Sequence, residues 1–139
     1  MRAVKLLCFA ICALAICVLV SILTQRLCFT GAERHVFFCG DTSKNCREVN
    51  CGNFPALKRL TLKEVCGESA FYSDLDIQKF LKSVGGKVVF EETLSDSVNY
   101  YCSADLPYSV NLYGAEINLQ ICVKNEGVTV ASPIIFGGY

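Results

Sequence analysis

The chain has 139 residues, with 13 Lys+Arg balanced by 13 Asp+Glu, ten cysteines, one histidine and no tryptophan. Once Arg2 and Lys5 are set aside, the remainder carries 11 basic and 13 acidic residues, a net of −2. That near-neutral balance argues against a nucleic-acid partner, which would want a basic face. No Asn-x-Ser/Thr occurs, a sign against a eukaryotic secretory origin.

Residues 1–23 come first and are the most informative. Leu6 to Leu23 (LLCFAICALAICVLVSIL) is free of charge. At about 1.5 Å per helical residue this run reaches roughly 27 Å, close to the hydrocarbon thickness of a bilayer. Arg2 and Lys5 precede it with no acid nearby, which holds that end in the cytoplasm and places the rest outside. Cleaved signals have shorter apolar regions and a small-x-small site. Here Ala13-Leu14-Ala15 lies mid-run, so residues 1–23 read as a signal-anchor that meets the membrane through residues 6–23. Secretion after signal cleavage is the alternative, with Ser21 as a weak site. Leu14-Ala15-Ile16-Cys17 differs from a lipobox at Ile16.

Residues 24–34 read as a polar connector and residues 35–139 as one extracytoplasmic domain. Arg34 to Cys39 is rich in aromatic and β-branched residues and predicts a strand. A polar turn at residues 40–45 allows Cys46 to Cys51 to return antiparallel. Gly52-Asn53-Phe54-Pro55 breaks that pattern, and Ala56 to Val65 fits a short helix or a strand. Ser69 to Tyr72 is extended.

Asp74 to Val84 predicts a helix with Ser73 as N-cap. Ile77, Phe80, Leu81 and Val84 form its apolar stripe, and Gly85-Gly86 is its stop. Strands are expected at Lys87–Thr93 and Val98–Ala104, followed by alternation from Tyr108 to Leu112 and a tight turn at Gly114. Ile117, Leu119, Ile121 and Val123 give the cleanest period of two. Asn125-Glu126-Gly127 joins this strand to Val128 and Val130, and Pro133 ends regular pairing. The apolar tail, residues 134–139, should dock in the sheet. The fold class is α+β: an antiparallel sheet of five to seven strands with one main helix on one face, behind an N-terminal transmembrane helix.

Seven cysteines follow the apolar run, in a compartment where bridges can form. Cys39, Cys46, Cys51 and Cys66 are near enough in sequence for two local bridges, and mostly free thiols is the other reading. Cys102 shares parity with Val98 and Tyr100, and Cys122 with Asn118 and Gln120. One therefore points in and the other out. Cys46 and Cys51 lack the second tight pair or the histidines of a zinc site, so no metal and no cofactor are expected.

No catalytic constellation is present. His35 alone would have to serve any triad. Glu91 and Glu92 are adjacent, so in a strand they face opposite sides. Tyr100 and Tyr101 read as one core ring and one surface ring. Cys-x-x-Cys is missing, which argues against a thiol oxidoreductase.

Three stretches carry a resemblance: Phe80-Leu81-Lys82-Ser83-Val84-Gly85-Gly86-Lys87-Val88-Val89-Phe90-Glu91-Glu92, Asn118-Leu119-Gln120-Ile121, and Ser132-Pro133-Ile134-Ile135-Phe136-Gly137-Gly138-Tyr139. Over about residues 70–139 the chain resembles the YwmB-like exported proteins of Firmicutes. That resemblance implies a TATA-box-binding-protein-like α+β fold, export, a Gram-positive host, free cysteines, and no DNA binding outside the cell. This chain is shorter and richer in cysteine, and holds one half of a repeated arrangement. The expected function is a non-enzymatic, membrane-anchored domain acting through an unknown protein partner or in the envelope. The alternative is a disulfide-stapled ectodomain of a viral or eukaryotic surface protein involved in entry or recognition.

Overall fold

The computed structural model describes residues 2–24, 27–41 and 45–136. Helix α1 spans Arg2–Thr24, and β1 (Arg34–Cys39) and β2 (Arg47–Asn50) follow it. Then come α2 (Pro55–Thr61), β3 (Val65–Tyr72), α3 (Ile77–Ser83), β4 (Lys87–Thr93) and β5 (Val98–Ser103). The chain ends with β6 (Val110–Leu112), β7 (Ala115–Ile117), β8 (Leu119–Lys124) and β9 (Gly127–Ser132). Seven strands form one sheet in the order β2-β1-β3-β9-β8-β5-β4, and every neighbouring pair is antiparallel. Strands β6 and β7 form a separate hairpin, turned by Tyr113 and Gly114, both at positive φ. The expected α+β class with one main sheet holds.

Helix α3 covers one face. Leu81 is buried, and Ile77, Phe80 and Val84 pack beside it against Ala70, Tyr72, Cys102, Leu119, Ile121, Val128 and Val130. The predicted stripe is therefore the packing surface, but the helix begins three residues later than expected. Ser73 does not cap it, because its backbone N–H and its hydroxyl both donate to Glu33. Asp76 is the N-cap and accepts from the Lys79 N–H at 3.1 Å. At the other end Gly86 N donates to Leu81 O at 2.7 Å and Gly85 N to Lys82 O at 3.4 Å. That double closure needs a left-handed residue, supplied by Gly85 at φ +62°.

The Asp76 carboxyl lies below its usual value of 3.8, first because of the Lys79 N–H bond. A depressed folded pKa means the cap's contribution is complete above 3.8 and is lost as pH falls through the folded value. Asp76→Asn keeps a capping oxygen without the titration. Its urea midpoint should fall less steeply below pH 4 than that of the wild type, and superimposable acid limbs would reject this assignment.

Two further expectations change. The polar parity of β8 and β5 does not face water. Gln120 is 1 % exposed and Asn99 is fully buried, because the chain after β9 folds back over this second face. Ile135 N donates to Gln120 Oε1 at 2.9 Å, and Gln120 Nε2 donates to Asn99 Oδ1 at 3.1 Å. Phe136 packs edge-on against Phe38, with ring centroids 5.1 Å apart. The tail thus docks through residues 134–136, and residues 137–139 lie outside the described residues. Cys102 and Cys122 do sit on opposite faces, but both are buried. Likewise, neither Tyr100 nor Tyr101 is a surface ring. Tyr100 packs on the core, while Tyr101 is buried on the second face and stacks on Phe90 at 4.5 Å.

The continuous strand expected from Ile117 to Val123 is broken at Asn118. Its side-chain amide bonds both the N–H and the carbonyl of Ala104. This local substitute for strand pairing marks the point where the chain leaves the hairpin and enters the main sheet. The ambiguous stretch after Gly52 resolves as helix α2, with Pro55 in its first turn.

Candidate functional site at the exit of the apolar helix

The segment joining α1 to β1 reads as polar connector, yet its residues 28–33 are built into the domain. Phe29 is 1 % exposed and its ring lies 6.0 Å from that of Phe80 in α3. Tyr72 Oη donates to Thr30 O at 2.8 Å, and Glu33 N donates to Phe71 O at 2.9 Å. The centre of the attachment is Glu68 of β3, itself 2 % exposed. Cys28 N donates to Glu68 Oε2 at 3.0 Å and Phe29 N to Oε1 at 3.3 Å. Two backbone donors thereby find acceptors inside the protein, as buried amides must.

His35 Nε2 stands 2.7 Å from Glu68 Oε1, buried to 4 %. The approach is close enough for an ion pair, but it is not aligned as a hydrogen bond. Strand register explains the meeting: His35 pairs with Ala70 and Phe37 with Glu68, so His35 and Glu68 share the core face. The Cys28 thiol is pushed far up, first by burial and then by the Glu68 charge and hydrogen bond. Tyr72 is raised for the same two reasons in the same order. An acid beside a buried thiol disfavours thiolate, the opposite of what a cysteine nucleophile requires. The arrangement is chemically a clamp on the exit of α1.

A second feature is the cysteine group at the far end of β1. Cys46 Sγ and Cys66 Sγ are 3.9 Å apart, and Cys66 also donates to Phe38 O at 3.4 Å. Burial and the neighbouring Cys66 thiol push Cys46 up to about 11. All ten cysteines are thiols in this structure. Among the described residues no group of three or more Cys, His, Asp or Glu is arranged to hold a metal.

On the second face, a cavity of about 390 Å³ is lined by Phe90, Glu92, Tyr101, Tyr113, Gln120 and Ile134, among others. Tyr113 is 97 % exposed and stands edge-on to Phe90 at 5.9 Å. Glu92 accepts from Tyr101 Oη at 3.2 Å. The sequence nominated no site residue here. Of the residues weighed for chemistry, His35 joins the clamp, while Glu91, Glu92 and Tyr101 all border the aromatic cavity.

Comparison of the chain with protein-family models, curated proteins and solved structures returned no match.

Proposed function

We propose that this chain is a membrane-anchored extracytoplasmic domain with a non-enzymatic role, acting through protein contacts in the envelope of a Gram-positive bacterium. The observation that carries the reading is α1. Its stretch Arg2–Ser21 is apolar on every side and none of it is buried against the domain, so it needs an apolar medium of its own. Arg2 and Lys5 stand at its leading end, the arrangement that keeps that end in the cytoplasm. The resemblance to the YwmB-like exported proteins supports the host and the exported placement. The raised Cys28 thiol supports a non-enzymatic role for the clamp. The exposed Tyr113 ring beside Phe90, together with the half-exposed Val88 and Val89 on edge strand β4, supports action by contact.

The test is a reporter that is active only outside the cytoplasm, fused after Tyr139, combined with fractionation of the intact chain. Activity in the membrane fraction at full length is expected. A reporter active only in its cytoplasmic form would overturn the orientation. A shortened product in the medium would replace anchoring by secretion.

A further inference from the structure

Strand β1 lies between β2 and β3. Residues on β2 and β3 are therefore two strand spacings apart, roughly 10 Å. That exceeds the reach of a disulfide, whose Cα atoms lie about 4.4–6.8 Å apart. Cys46 and Cys66 nevertheless bring their sulfurs to 3.9 Å. The reason is at Gly40. A Cβ there would stand 2.7 Å from Asn45 O and 3.2 Å from Cys46 Cα. Only glycine lets the chain at Asn45–Cys46 lie across the end of β1, and Gly40 is also at φ +154°. Gly40 N is fixed to Glu64 O at 3.0 Å, just before β3. The crossing sets Cys46 over the start of β3, where Cys66 is the second residue.

We propose that Cys46 and Cys66 are a disulfide-forming pair, closed outside the membrane by exchange with a disulfide-bearing oxidant. One cysteine, as thiolate, attacks a sulfur of the oxidant and expels one thiol. The second protein thiol then loses its proton, displaces the mixed disulfide and releases the other thiol. Two protein thiols are oxidised and one disulfide of the oxidant is reduced to two thiols. The bond fastens β2, a four-residue edge strand, over β1 to β3, and so guards an open sheet edge against pairing with other chains. Closure in the cell rests on the exported placement proposed above; the pairing itself does not.

Trypsin separates the four neighbouring cysteines. Cys39 falls in peptide 35–44, Cys46 in 45–47, Cys51 in 48–58 and Cys66 in 64–79. Full-length protein in detergent is treated with oxidised glutathione under native conditions, alkylated and digested. The expected product is peptide 45–47 linked to 64–79, with two fewer free thiols. It should persist in Cys39→Ser and vanish in Cys46→Ser. No link, or a link of 45–47 to 35–44 or 48–58, overturns the pairing. A parallel sample is alkylated in intact cells before lysis. The same linked peptide there supports closure outside the cell. Free thiols there, with the link formed in vitro, overturn closure in the cell while leaving the pair, and the reporter fusion tests the exported placement separately.

Discussion

Replacing Glu68 with leucine should destabilise the domain by about 3–5 kcal/mol, because it leaves two backbone donors buried without an acceptor and puts an apolar side chain against the buried His35 ring. This carboxylate serves the N–H of Cys28, the N–H of Phe29, the Cys28 thiol and the His35 ring. Each backbone donor left buried without an acceptor costs about 1–3 kcal/mol. His35 gains nothing from leucine, because an apolar side chain offers its buried nitrogen no partner. Glu68→Gln should cost less, since its one carbonyl oxygen can still accept from one of the two amides. The direct measurement is hydrogen exchange. Protection at Cys28 and Phe29 should collapse in Glu68→Leu while the amides of β8 and β9 stay slow. Unchanged protection at Cys28 and Phe29 would show that Glu68 does not hold the segment.

That clamp was partly visible in the chain itself. Extended from Val65 to Tyr72, Glu68 falls on the same parity as Ala70 and Tyr72, an acid on an apolar face. The strand expected from sequence begins at Ser69, one residue beyond Glu68, so its alternation does not reach the acid. Helix α1, the α3 stripe and the β8–β9 hairpin were legible because their signals are local: an apolar run, a period of 3.6, and a short turn between alternating strands. The strand order was not, because β3 pairs with β9 across some sixty residues and no local pattern encodes that choice. The second face was misread for a different reason. Asn99, Gln120 and Asn118 have the composition of a solvent face, yet Gln120 bonds Asn99 Oδ1 and Ile135 N, and Asn118 bonds the Ala104 backbone, while Asn99 Nδ2 is buried without a partner among the described residues. Polar residues that find partners inside read in sequence like polar residues that face water. The thiol pair was only half legible. Cys39, Cys46, Cys51 and Cys66 were grouped by spacing, but selecting Cys46 with Cys66 depends on the crossing over Gly40.

Phe29→Ala should also cost about 3–5 kcal/mol, the usual loss for a large aromatic truncated in a core. Phe29 is in the same cluster as Leu81, Cys102, Leu119 and Ile121 and faces Phe80 of α3. The cavity would be bounded by the sheet on one side and α3 on the other, two elements fixed elsewhere by strand pairing and by the Gly85–Gly86 cap, so collapse around it is limited. The double variant with Glu68→Leu separates a clamp from two independent contacts. If Phe29 and Glu68 hold one segment together, losing either frees it and the second change has less left to remove. The two costs should then fall short of additivity by about 0.5–3 kcal/mol, the size of coupling between residues in contact. Strict additivity in urea unfolding would mean that residues 28–30 are held by Phe29 and Glu68 separately. Sub-additivity would mean that the exit of α1 docks as a unit. In that case the domain sits close against the end of its apolar helix, and a free segment would let it swing away.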